Sequence, residues 1–172
     1  LGLCNLFACL RNPYMTLKLM DTLLNIEYNE RNFSVAKENY DNPDLDIITS
    51  AAYTYLIAHQ SRAGNMRSFD KNHLSPENYY NSIYGLQSYS VVLKGVEVTC
   101  GNALDILSES KNNRDSFCYL DVPYVVESKR SNQHSYKEEK EQPFDHLQLV
   151  ERLLETNMKV ALSGYDNHPY YD

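Results

Sequence analysis

The chain lacks an excess of positive charge. Across 172 residues, 16 Lys and Arg stand against 23 Asp and Glu, a formal net charge of −7. No overall field therefore draws it to nucleic acid, and any contact with phosphate has to come from a local patch. Paired cysteines are missing too: Cys4, Cys9, Cys100 and Cys118 form no CxxC and have no metal-ligand spacing with histidine. That excludes a disulfide framework and a zinc ribbon. It predicts core thiols, a reducing, cytoplasmic compartment and no metal site. Long apolar runs are absent as well. Leu1 to Leu10 is apolar, but too short to span a bilayer and without a basic leader for secretion. The length suits one sizeable core, and nothing in the composition sets an oligomeric state.

What is present divides into two halves, 1–94 and 95–172. The first reads as helical. Leu3, Leu6, Phe7 and Leu10 recur at helical spacing, Asn12-Pro13 closes that segment, and Leu17, Met20 and Leu24 mark a second. A third helix is predicted from about Glu30 to Tyr40. A fourth carries Leu45, Ile48, Ala52, Tyr55 and Leu56 towards Gln60, with Asp44 and Asp46 near its N-terminus. Periodicity then stops between His59 and His73, where Gln60, Arg62, Arg67 and Lys71 accompany a single acidic residue, Asp70. A basic, polar, Gly-containing loop suits phosphate and base-edge contact; the same composition also suits a solvated surface loop. Ser75-Pro76-Glu77 starts one further helix with the stripe Tyr79, Ile83, Leu86, Tyr89 and Val92, ended by Gly95.

After Gly95 the pattern changes to α/β. Val96 to Cys100 alternates like a strand, Ala103 to Glu109 reads as a short helix with Leu104 and Leu107 inward, and Phe117 to Leu120 as a strand buried on both faces. A polar stretch from Glu127 to Gln142 reads as a surface loop. Asp145 caps a helix whose Leu147, Val150 and Leu154 share a face, and Met158 to Leu162 forms a third strand. The order β-α-β-loop-α-β is that of a parallel sheet covered by helices, whose ligands sit beyond the carboxyl ends of the strands. Those ends carry Gly101-Asn102, Asp121-Val122-Pro123-Tyr124 and Ser163-Gly164-Tyr165.

At these residues the chain resembles a family. Tyr119-Leu-Asp-Val-Pro-Tyr124 is similar to the Asp-Pro-Pro-Tyr motif of Dam-like DNA adenine-N6 methyltransferases. Lys159 to Asn167 resembles the strand and turn that follow it in the phage and restriction-system branch. Gly101-Asn102-Ala103-Leu104 looks like the family's cofactor-contacting turn, and His59 to Phe69 like its DNA-proximal loop. The resemblance implies an α/β fold, part of a Rossmann-like class I methyltransferase sheet with a helical DNA-recognition insertion. It implies transfer of methyl from S-adenosylmethionine to the N6 amine of an adenine flipped from double-stranded DNA. Asp121, Val122, Pro123 and Tyr124 would form the catalytic motif. By the resemblance, Tyr124 would stack on the base, Asp121 and the Val122 carbonyl would accept from the amine, and Asp121 would orient that amine and receive its proton. Asn102, Ala103 and Asp121 would contact the cofactor, and Gln60, Arg62, Arg67, Lys71, Lys129 and Arg130 the DNA.

Three departures accompany the resemblance. Val122 stands where the family has Pro, which removes a φ restraint of about 0.4–1 kcal/mol. Asn102 replaces the usual Asp, and no Gly-rich cofactor turn precedes the helical half, so the chain is expected to be a fragment with that turn upstream. The same departures fit an inactive remnant acting as a non-enzymatic DNA-binding or interaction protein. A third alternative moves the chemistry to an amide or RNA amine; Asp at position 121 favours DNA adenine through the resemblance.

Overall fold

A computed structural model describes residues 1–71, 75–110, 112–123 and 144–164. The chain divides into two compact units, Leu1–Cys100 and Gly101–Asp172.

The first unit is built around one helix. The helices are α1 (Gly2–Leu10), α2 (Pro13–Leu24), α3 (Glu30–Asn39), α4 (Ile47–Gln60), α5 (Pro76–Tyr84) and α6 (Leu86–Val92). α1, α2 and α3 all pack on α4, which is apolar or small on nearly every side: Ser50, Ala51, Ala52, Thr54, Tyr55, Leu56 and Ile57 are buried. Such a helix belongs inside a bundle. Caps set the starts of α4 and its neighbours. Asn12 accepts from the Tyr14 and Met15 amides ahead of Pro13, Asp46 from those of Ile48 and Thr49, and Ser75 from that of Asn78. Each such cap is worth about 0.5–2 kcal/mol against alanine. Buried Thr16 ties α2 to the end of α1 through the Cys9 carbonyl at 3.1 Å. Full burial of Leu19, Leu23, Leu56, Ile57 and Ile83 supplies the main driving force, about 1.5–3 kcal/mol per side chain.

Within this unit several expectations are corrected. α2 buries Thr16, Leu19 and Leu23 and leaves Leu17 and Leu24 exposed, and α1 buries Leu6, Cys9 and Leu10 while Leu3 and Phe7 face outward. Leu-rich helices offer two adjacent stripes, and packing against α4 selects one. The segment after Ser75 is two helices, divided at Gly85; Tyr89 and Val92 are exposed. Val96 to Cys100 pairs with no strand among the described residues, and Cys100 is an exposed thiol instead of a core one. Buried Cys9 keeps the expected character, its thiol pushed up to about 11 by burial.

In the second unit, α7 (Ala103–Ser110), β1 (Phe117–Asp121), α8 (His146–Glu155) and β2 (Lys159–Ser163) follow in order. β1 and β2 pair in parallel, from Phe117↔Lys159 to Asp121↔Ser163, so among the described residues the sheet has two strands where three were expected. Leu104, Leu107 and Leu149 form a small core with Cys118, Leu120, Val122, Leu153 and Leu162. These helices cover one sheet face. Phe117 and Tyr119, on the other, are exposed, which corrects the expectation of a strand buried on both sides. The face of α8 is also corrected. Leu149 is 1% exposed and Leu154 83%, because Leu149 and Leu153, one turn apart, meet the strands. Asp145 caps this helix as expected, accepting from the Gln148 amide at 2.9 Å.

Candidate functional site

The first candidate lies where β1 and β2 end. Parallel pairing brings both carboxyl ends to one side and sets Asp121 opposite Ser163. Residues paired in a parallel ladder project from the same face, here the one left open by the helices. The Ser163 hydroxyl lies 2.6 Å from Asp121 Oδ1 and 3.3 Å from the Leu120 carbonyl oxygen. A hydroxyl has one proton to donate, and the short, charge-assisted contact to the carboxylate takes it. Asp121 is exposed, and its Oδ2 has no hydrogen bond among the described residues. Such a carboxylate is fixed on one side and open as an acceptor on the other.

Val122 follows half-buried, its side chain packed into the small core, and Pro123 is half-buried. The core thus anchors the backbone directly after Asp121. At the head of α7, Asn102 Oδ1 accepts from the Leu104 amide at 3.0 Å. That cap commits the side-chain oxygen and leaves the amide N–H₂ of an exposed residue as a donor. Ala103 is exposed beside it. Tyr124, Lys129 and Arg130 lie outside the described residues.

The second candidate is the segment from Ser61 to Lys71. Its backbone closes on itself: the Asp70 amide donates to the Gln60 carbonyl at 2.8 Å, and the Arg62 amide to the Ser68 carbonyl at 3.2 Å. Ser61 bridges to Phe69 in antiparallel register. The buried Ser61 hydroxyl accepts from the Met66 amide at 2.8 Å, and Asn65 Oδ1 from the Arg67 amide at 2.9 Å. Ala63 and Met66 hold left-handed backbone, with φ of 54° and 57°. A non-glycine residue adopts that region at a cost of order 1–3 kcal/mol, met here by the closed hydrogen-bond set. Phe69 anchors the loop between Tyr28 and Phe33, at ring separations of 5.3 and 5.7 Å. With the amides of Arg62, Gly64, Asn65, Met66, Arg67 and Asp70 spent internally, the loop offers mainly side chains.

Arg62 and Arg67 are exposed. Lys37 donates to the Arg67 carbonyl, which steadies that position. Lys71 is exposed and pairs with Glu30 at 2.8 Å, a surface ion pair worth about 0–1 kcal/mol. Gln60 departs from its expected place. It is 0% exposed, on the inner side of α4, so its side chain is not open to a base edge. Periodicity could have signalled this, since Gln60 lies four residues after buried Leu56. Among the described residues, neither its amide atoms nor the buried Tyr79 hydroxyl has a hydrogen bond of good geometry. Burial raises the Tyr79 phenol, an effect the neighbouring Gln60 amide partly offsets.

Sequence reasoning passed over the roles of Ser163 and Ser61. Ser163 becomes a partner of Asp121 only once the strand register is known, and Ser61 acts through a turn that no periodicity announces. Among the described residues no group of three or more potential ligands could hold a metal ion, and no helix is long and apolar enough to cross a membrane.

Residues 62–171 match the D12 class N6 adenine-specific DNA methyltransferase family, and the chain belongs to it. The match takes in both candidate regions, from Arg62 in the loop to the residues beyond Ser163. Methyltransferases of this family use S-adenosylmethionine, and the family's substrate is DNA. No curated protein and no solved structure matches the chain.

Proposed function

We propose that the strand ends at Asp121 and Ser163 hold the target amine of a DNA adenine-N6 methyltransferase, and that the loop from Ser61 to Lys71 meets its DNA. The observation that carries this reading is the Asp121 carboxylate, at the end of a parallel strand in a chain of this family, with one oxygen held and the other open. The two-stranded unit is then part of a Rossmann-like class I sheet, and the free thiols suit a cytoplasmic enzyme.

S-adenosylmethionine, when bound, supplies an electrophilic methyl group. The exposed donors and acceptors at the head of α7 and the end of β1 fit such a ligand. Asn102 offers its amide N–H₂ and Ala103 adds no bulk to obstruct it, so these two, with Asp121 beside them, would contact the cofactor. Asp121 accepts one N–H of the flipped adenine's amine and the Val122 carbonyl the other. Both bonds draw the nitrogen lone pair out of conjugation with the ring. Asp121 then takes the proton that the amine sheds, and Tyr124 covers the base. The residues act by orientation and electrostatics, with no covalent enzyme intermediate. Arg62 and Arg67, with Lys129 and Arg130, meet phosphates and base edges; Lys71 joins them where phosphate competes with Glu30 for its ammonium.

The test is transfer of tritiated methyl from S-adenosylmethionine to duplex DNA by the full-length protein, with Asp121→Ala beside it. Incorporation that depends on Asp121 supports the reading; incorporation unchanged in Asp121→Ala removes it.

A further inference from the structure

We infer that Ser163 is a positioning residue for the reaction: its hydroxyl, 2.6 Å from Asp121 Oδ1, fixes the rotamer in which Oδ2 receives the target amine. This rests on the reading of Asp121 as the acceptor of that amine. The argument starts from the ladder. Asp121 is the last residue of β1 and is exposed, so the described structure gives its side chain no packing that would choose a rotamer. Ser163 is the last residue of β2, directly opposite, and half-buried. Its position is set by the backbone ladder, which continues to the base of the strands, where the Lys159 amide donates to the Ser116 carbonyl at 3.1 Å.

A short side chain on a fixed backbone is a better anchor than a long one, because fewer torsions must be frozen. Serine also suits the chemistry. It donates one hydrogen bond and carries no charge, so it holds one carboxylate oxygen without neutralising the base that the amine requires. A Lys or Arg at this position would hold the carboxylate more strongly and would compete with the amine for it. With Oδ1 committed, Oδ2 is the atom left to accept from N6, so the serine chooses which oxygen reacts. Misplacement of a reacting group by about 1 Å can cost roughly 100-fold in rate. Losing this contact therefore lowers kcat and takes from DNA binding only the small share that the amine contact contributes.

The experiment uses the full-length protein with Ser163→Ala and Ser163→Thr, each also in an Asp121→Asn background. Two quantities are read: kcat and KM for methylation, and the ratio of affinities for duplexes carrying adenine or purine at the target, measured with S-adenosylhomocysteine bound. Purine lacks the amine, so that ratio reports the amine contact without any turnover. Expected for Ser163→Ala is a fall in kcat of roughly 10- to 100-fold with KM values within about twofold, and a ratio reduced towards one. Ser163→Thr, which keeps the hydroxyl, recovers both, and in the Asp121→Asn background the serine change leaves the ratio where it was. Unchanged kcat and ratio in Ser163→Ala overturn the inference, as does an equal loss in both backgrounds. A wild-type protein that methylates no adenine fails at the first measurement, which marks the failure of the underlying reading instead of the serine's role.

Discussion

The backbone N–H of Asp70 donates to the carbonyl of Gln60 at 2.8 Å, so the segment between them leaves α4 and returns to a single point. Ser61 and Asn65 take up amides inside that closure, and Phe69 seals it against the core. A loop built in this way is rigid before any ligand arrives. Its outward chemistry is carried by arginine side chains on an otherwise acidic protein.

Arg62→Ala and Arg67→Ala are each expected to weaken DNA binding at all sequences and to lower the slope of log affinity against log salt by about 1. Lys71→Ala is expected to do less, because Glu30 already holds that ammonium. Titration of a labelled duplex at several salt concentrations checks this. A slope unchanged in both arginine variants would remove the loop from the DNA interface.

Gln60 lies in the core, and among the described residues its side-chain amide has no hydrogen bond of good geometry. Replacing an unsatisfied buried polar group by an apolar one of similar shape is close to neutral or stabilising. Gln60→Met is therefore expected to leave the urea midpoint equal to or above wild type and DNA affinity unaltered. A loss of about 2 kcal/mol or more would mean that the amide is paired in solution.

Gly2 sits where α1 meets α4. A Cβ there would collide with the Thr54 hydroxyl and come within 2.7 Å of the Tyr40 carbonyl oxygen, a backbone atom that cannot swing aside. Gly2→Ala is expected to cost about 1–3 kcal/mol by overpacking, read from denaturant unfolding. Stability equal to wild type would place α1 farther from α4 than described.

His59 stacks on Tyr55 at 4.1 Å, and burial lowers its pKa from the ordinary 6.5. The unfolded chain then binds a proton more readily than the folded one. The stabilising contribution is complete above about 6.5 and is lost as pH falls through the folded value. Thermal midpoints should decline over that window, and His59→Phe should flatten the decline. A variant with the wild-type pH profile would assign the decline to other groups.

The sequence shows some of this directly. Ser75 and Asp145 announce helix starts because a cap is a local device, and both cap as expected; Asn12, read as the close of α1, and Asp46, read only as well placed near an N-terminus, also cap α2 and α4. The buried faces of α2 and α8 were not legible. Each helix carries leucines on two neighbouring stripes, and only the tertiary partner chooses between them. Val96 to Cys100 alternates like a strand, yet alternation does not supply a neighbour to pair with. At the site, Asp121 stood out as an acidic residue ending an apolar strand, and the structure places it at the end of β1. Ser163 was named only among the strand-end residues, since its contact with Asp121 spans 42 residues and depends on register.

The most direct measurement of the central claim is the identity of the methylated base. Duplex DNA treated with the full-length protein and S-adenosylmethionine is digested to nucleosides and separated by mass spectrometry, with Asp121→Ala as control. The account predicts N6-methyladenine as the product, lost in the Asp121→Ala sample. Methylcytosine, or DNA left unmethylated by a folded, cofactor-binding protein, would contradict it.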